Sequence, residues 1–404
     1  MANLLFLTHR LPYPPDKGDK IHTYHLLKHL AQRHRVLLGT FVDDPQDEQY
    51  VSAVQELCAE LHVARLRPVQ AGWRAIGSWW RREPVTVACY RDGGMARWVQ
   101  GVQQRRAAEA VLVHSSAMLQ YADPSSTAPL VVDFNDVDSA KWMDYGTRRK
   151  WPMNQVYRRE GRRLLDTERR GAARARWSLF ATEREAALFR SLAPESADRV
   201  AVLGNGVDAE YFKPDAARPS PYAAGETALV FVGTMNYWPN VDAVIWFAKE
   251  VMPALCQQWP GLRFYIVGRS PSAEVRALER DSVKVVGTVP DTRPWLQHAA
   301  AVVAPMRVAR GIQNKVLEAM AMARPVVASA ACADAIDAVA GQHLQVANTA
   351  GDFLARLSDL LARPGLATAT GEAGRERVRA AYSWTERMTW LDGFLQQAAN
   401  EAAA

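Results

Sequence analysis

Four side chains lying close together in the chain, Arg307, Arg310, Lys315 and Glu318, are of the types that hold a nucleoside diphosphate. The three cations offer full charges and N–H donors to phosphate oxygens. A carboxylate among them suits the hydroxyls of a ribose beside the diphosphate. Lys315 and Glu318 stand three residues apart, close to one face of a helix, and an ordinary ion pair on a helix surface is the other use of that spacing. The segment that must position them, 301–327, is AVVAPMRVARGIQNKVLEAMAMARPVV. It reads as a buried strand over 301–304, a polar loop with Arg307, Arg310 and Gly311, a helix, and a second strand from Pro325. In such a unit the ligand sits beyond the carboxyl end of the strand. There, free N–H groups and the helix dipole favour phosphate.

The rest of the chain predicts the same architecture, α/β with parallel sheets. Strands are expected over 4–8, 36–42, 61–66, 110–113, 130–132, 178–181 and 200–203, with helices over 21–32, 47–60 and 183–192 between them. The alternation implies crossover connections. The loop at 12–20 holds Gly18, and a strand, a glycine loop and a helix make a weak nucleotide-fold opening or a plain turn. His114 and Asp133 close the strands at 110–113 and 130–132, on the ligand side of a parallel sheet. Asp136-Val137-Asp138 has the spacing of a metal-binding pair, but a helix N-cap at Asp138 or Ser139 uses that polarity more economically. A second set of strands, over 228–232, 262–267 and 283–286, ends in Gly233, in Gly268-Arg269 and in Gly287. The stretch 215–225, rich in proline and alanine, reads as a linker. The expected domains are therefore 1–205 and 206–382, with the helical end, 383–400, packing back on the first.

Two segments break the rhythm. Over 68–97, Trp73, Trp79 and Trp80 interleave with Arg74, Arg81 and Arg82; this suits a membrane interface, an acceptor site, or a helix packed on its domain. Over 145–176, ten arginines face few acids, which suits anionic lipid, nucleic acid or a solvated face. Trp151, Val156, Tyr157, Leu164 and Leu165 are expected on the opposite side of that helix.

At 404 residues the chain exceeds one ordinary core. Its four cysteines are scattered without ligand spacing, which argues against a zinc or disulfide framework. The amino-terminal residues lack signal-peptide character, and no apolar run is long enough to span a membrane. The expectation is a cytoplasmic protein without cofactor or metal, reaching the inner face of the membrane at most. The net charge of +6 favours acidic partners.

With these segments in hand the chain resembles the retaining glycosyltransferases of the GT-B fold, family 4. Asn205-Gly206-Val207-Asp208 with Phe212 and Pro214 is similar to that family's interdomain segment. Val232-Gly233 and Val267-Gly268 are similar to its glycine loops, and 311–321 followed by Pro325-Val326-Val327 to its donor-binding helix. The Trp-rich segment, DFNDVDS and RGIQNKVLEAM together resemble the sugar transferases of bacterial exopolysaccharide and exosortase loci. The resemblance implies two Rossmann-like domains and transfer from a nucleotide sugar to a polysaccharide or lipid-linked acceptor, without metal. It implies Arg310 and Lys315 on the diphosphate, helped by Arg269 or Arg307. Glu318 falls on the ribose, Gly311 and Ile312 near the sugar, Gly18 opposite the phosphates, and Gly233 in the donor loop. Where the family has a first glutamate this chain has Arg310, and acidic residues replace its first-domain histidine, leaving Asp133 and Asp136 as candidate polar contacts. A non-catalytic nucleotide-sugar scaffold and an epimerase of the same fold are the alternatives. A nucleic-acid reader motif is lacking.

Overall fold

The computed structural model describes residues 2–15, 18–66, 68–105, 107–309 and 311–403. Two compact units divide the chain: residues 1–204 with 385–404, and residues 205–384. Each is built on a parallel sheet, because its strands are apolar on both faces and need helices on both sides to bury them.

The first sheet contains β1 (Asn3–Leu7), β2 (Arg35–Val42), β3 (Glu60–Arg65), β4 (Ala110–His114), β5 (Leu130–Asn135), β6 (Trp177–Phe180) and β7 (Val200–Val202), in the order β3-β2-β1-β4-β5-β6-β7. The second contains β8 (Thr227–Val232), β9 (Leu262–Val267), β10 (Val283–Gly287), β11 (Ala301–Ala304), β12 (Val326–Ala328) and β13 (Gln345–Val346), in the order β10-β9-β8-β11-β12-β13. Both progressions reverse once, between β1 and β4 and between β8 and β11. At such a switch point the flanking connections leave on opposite faces and open a crevice at the strands' carboxyl ends.

Several expected elements differ in detail. The helix expected over 47–60 is a 3₁₀ turn, Pro45–Tyr50, followed by a short helix, Val51–Gln55; Pro45 and the capping carboxylate of Asp44 favour the turn. The helical end expected at 383–400 is one helix, Trp384–Ala403, preceded by Ala350–Ala362 and Pro364–Ala381, which separate where Pro364 cannot continue a helix. The last helix packs with residues 1–204 through His29 to Asp392 at 2.9 Å and Trp177 against Phe394 at 5.2 Å. The stretch read as a linker, 215–225, is folded onto the second unit: Tyr222 is buried and its hydroxyl donates to the Trp295 carbonyl, while the Asp215 N–H donates to Gln297 at 3.0 Å.

The loops after β8 and β9 touch without intervening side chains. Gly233 donates its N–H to the Val267 carbonyl at 3.0 Å. Gly268 sits at φ +148°, and a Cβ there would lie 1.7 Å from the Gly233 carbonyl oxygen. Only glycine meets both conditions. Gly268→Ala should therefore cost roughly 3 kcal/mol of unfolding free energy. Gly341→Ala, at φ +83° in open space, should cost only about 1 kcal/mol. Urea titrations of the two variants check the difference, and equal losses would refute the close-approach account.

Candidate functional site

Each switch point carries a cluster of polar groups. At the first sheet, His9 follows β1, His114 ends β4, Asp133 lies in β5, and the helix Gly18–Arg33 contributes Asp19 and His22. Asp133 is fully buried, and its Oδ2 accepts from His22 Nε2 at 2.8 Å and His114 Nδ1 at 2.7 Å. Burial alone would raise this carboxyl, but the two imidazoles hold it well below the usual carboxylate range. His9 stacks on His114 with ring centroids 5.5 Å apart, and Arg10 lies 2.8 Å from both Asp19 and Asp43. His22, His114 and Asp133 bring three ligand atoms within 4.8 Å of one another, a donor set that suits zinc. Ligands around zinc stand about 3.3 Å apart for bonds near 2.0–2.1 Å. The separations of 2.7 and 2.8 Å are those of hydrogen bonds.

Asp133, expected as a polar contact for substrate, is instead an interior anchor that orients two histidines. Of the histidines here, sequence reasoning placed His114 on the ligand side and missed His9 and His22. His114 carried a signal, since it ends a strand; His9 and His22 carried none until the strand order was known. Asp136, the other acidic candidate, is held by Lys141 Nζ at 2.7 Å, and the same ammonium lies 3.2 Å from Asp138. A lysine thus fills the space a metal would need between the paired aspartates. The formal N-cap of the helix Asp138–Arg148 is Val137. Capping comes from distant carboxylates: Glu185 accepts from the Val137 N–H, and Glu168 from the Ser139 N–H. Gly18, expected in a loop, is the exposed first residue of its helix.

At the second sheet the chemistry is differently distributed. Arg310 lies outside the described residues. Arg307 pairs with Asp242, Nε to Oδ2 at 2.9 Å. Its guanidinium is thus engaged by a carboxylate on the helix Trp238–Trp246. The pair lies beside a cavity of about 440 Å³ that Trp238, Trp246, Lys249 and Glu274 also line. Arg269 is half-buried behind Gly268, and its carbonyl accepts the Met235 N–H at 2.8 Å. Gly311, at φ +62°, and the half-buried Ile312 lead into the helix Asn314–Ala321.

Lys315 and Glu318 rise from that helix but do not pair with each other. Lys315 Nζ turns across the crevice to Asn240 Oδ1 at 2.8 Å and lies 4.9 Å above the Phe231 ring. No carboxylate among the described residues comes within 4.0 Å of it. Burial lowers its ammonium to about 8, and burial likewise raises Glu318 to about 7, with the neighbouring lysine pulling the other way. Both groups are poorly solvated charges that a charged, hydroxylated ligand would serve.

These two sheets are the GT-B fold. Residues 226–363, which contain the second switch point, match the family model of group 1 glycosyl transferases. Over 199 residues the chain is 29% identical to a lipopolysaccharide core biosynthesis mannosyltransferase of Rhizobium leguminosarum, covering 45% of this chain and 55% of that one. Over 120 residues it is 31% identical to a component of the phosphatidylinositol N-acetylglucosaminyltransferase of Arabidopsis thaliana, covering 28% of this chain and 24% of that one. The chain thus matches a quarter to about half of the length of these relatives. Among solved structures, a sucrose-phosphate synthase from Thermosynechococcus elongatus superimposes with a TM-score of 0.74 at 16% identity over 100% of both chains. Anabaena HepE in complex with UDP superimposes with a TM-score of 0.70 at 15% identity over 98% of this chain and 100% of that one.

The Asp133 carboxylate is ionised in the folded chain at a lower pH than in the unfolded chain. Its stabilisation is therefore present above the unfolded value of about 3.9 and is lost as pH falls through the folded value. Asp133→Asn should cost about 3 kcal/mol at pH 7, and the gap from wild type should narrow below about pH 4. Denaturation at a series of pH values measures it; a gap that is constant with pH would show that the charge is immaterial.

Proposed function

We propose that the chain is a glycosyltransferase moving a sugar from a nucleoside diphosphate to a hydroxyl of a polysaccharide or lipid-linked acceptor, with retention, in cell-surface polysaccharide synthesis. The observation that carries this reading is Lys315: a desolvated ammonium at the switch point of the second sheet, held by an amide and unneutralised by any described carboxylate. The family match falls on the same segment, and the Rhizobium relative is itself a lipopolysaccharide mannosyltransferase.

The reaction needs negative charge to be stabilised on a departing diphosphate. Lys315 and the amino end of the helix Asn314–Ala321 supply preorganised positive potential for that, the role a metal ion serves elsewhere. Glu318 takes the ribose hydroxyls. As the bond from the anomeric carbon to the phosphate oxygen breaks, its electron pair leaves with the diphosphate. The acceptor oxygen bonds to that carbon, and its proton passes to the departing phosphate oxygen.

A panel of UDP, GDP, ADP, dTDP and CDP in a thermal-shift assay tests the donor site. One of them should raise the melting temperature, and Glu318→Ala should abolish the shift. Because Lys315 loses its proton near pH 8, affinity should fall by about tenfold between pH 7 and pH 9. If no nucleotide stabilises the wild type, the donor-site reading fails; binding without transfer would instead favour the non-catalytic scaffold.

The setting at the inner face of a membrane rests on a separate surface. Trp73, Trp80 and Trp151 are 72%, 88% and 79% exposed, and Met153 is exposed with them. The two helices that carry most of this surface, Pro68–Trp80 and Met153–Arg174, meet where Arg159 lies 4.6 Å over Trp79. Of the apolar residues expected opposite the arginines, Leu164 is buried, Val156, Tyr157 and Leu165 are half-buried, and Trp151 is exposed. The buried stripe of the long helix is Glu160, Gly161, Leu164, Glu168, Gly171 and Ala172. There Glu160 accepts from the Val85 and Thr86 N–H groups, and the arginines stay outside. No helix among the described residues is long and apolar enough to cross a membrane. Exposed tryptophans beside arginines suit adsorption to anionic headgroups. Cosedimentation with phosphatidylglycerol vesicles should be strong and should weaken at least several-fold in the Trp73→Ala, Trp80→Ala double variant; equal recovery with neutral vesicles would sink the proposal.

A further inference from the structure

We propose that Asn240 is the positioning residue that presents Lys315 to the donor diphosphate, fixing the ammonium while leaving its charge intact. The inference rests on the reading that this site takes a nucleoside diphosphate.

Asn240 lies in the first turn of the helix Trp238–Trp246 and is only 4% exposed. Its amide is pinned at both ends. Nδ2 donates to the Thr234 carbonyl at 2.9 Å, in the loop that follows β8, and Oδ1 accepts from Lys315 Nζ at 2.8 Å, across the crevice from the β11 side. The donor end is committed to a carbonyl, so the oxygen end must face the ammonium. The loop is cut to fit: a Cβ on Gly233 would lie 2.8 Å from Asn240 Nδ2.

The choice of amide matters electrostatically. An ammonium has three donors, and an amide oxygen occupies one without supplying negative charge. The Phe231 ring and Met306 Sδ at 3.9 Å, which also lie against Lys315, are neutral as well, and the Glu318 carboxylate acts on it only from beyond ion-pair distance. Arg307 shows the opposite arrangement, with the Asp242 carboxylate meeting its guanidinium. An aspartate at position 240 would match asparagine in shape and hold Lys315 at least as firmly, but it would cancel the charge that attracts phosphate.

That contrast makes the test. Asn240→Asp, Asn240→Ser and wild type are titrated with UDP, GDP, ADP, dTDP, CDP and inorganic pyrophosphate, and melting temperatures are recorded without ligand. Asn240→Asp loses the donor to the Thr234 carbonyl and should melt somewhat below wild type while staying folded, and it should bind the diphosphates about tenfold or more weakly. Asn240→Ser, a shorter neutral acceptor, should fall between the two. If Asn240→Asp binds as tightly as wild type, or Asn240→Ser binds worse than Asn240→Asp, the neutrality of residue 240 is irrelevant and the proposal is overturned. If wild type binds none of the probes, the diphosphate reading itself fails and takes this inference with it.

Discussion

A parallel sheet buried on both faces can change its winding direction at one place, and everything chemical in this chain gathers where it does so. Between β1 and β4, and again between β8 and β11, flanking connections leave on opposite faces and the strand ends are left uncovered. Backbone groups there are not consumed by the ladder, and side chains from distant segments meet. Residues 22, 114 and 133 converge in one unit, and residues 234, 240 and 315 in the other.

The two crevices treat charge oppositely. In the first, the described charges are matched internally: Arg10 with Asp19 and Asp43, Lys20 with Asp47, and Asp133 with two imidazoles. Such a network is rigid because breaking one member strands its partner in a low dielectric. In the second, Lys315 is hydrogen-bonded to a neutral amide, with Glu318 acting on it only from beyond ion-pair distance, and both it and Glu318 are displaced from their ordinary ionisation by burial. An incomplete electrostatic arrangement of this kind is costly in the empty protein and favourable when a ligand completes it.

Much of this was legible in the sequence, for identifiable reasons. Apolar runs such as LLFL and AVVA are long enough to mark buried strands, and the glycines after β8 and β9 announce a backbone contact that no other residue permits. The unit from 301 to 327 was readable because strand, loop and helix follow each other locally. What escaped depends on long-range pairing. Asn240 is an unremarkable polar residue until Lys315, 75 positions later, is seen to reach it. His22 belongs to a helix whose pattern says nothing of Asp133, 111 positions on. In the arginine-rich helix the charges are counted easily, whereas nothing in the pattern singles out the two inward glutamates that cap other segments.

The unit that contains the first sheet is not continuous in the chain. It opens with β1 and closes only with residues 385–404, whose helix supplies Asp392 to His29 and Phe394 to Trp177. The second unit, by contrast, is one unbroken stretch, 205–384. Domains made during synthesis ordinarily fold in the order in which they emerge. Here the order of completion is inverted: the unit begun with β1 must wait with an unfilled helix position until residues 385–404 are made, while the unit over 205–384 already has its segments.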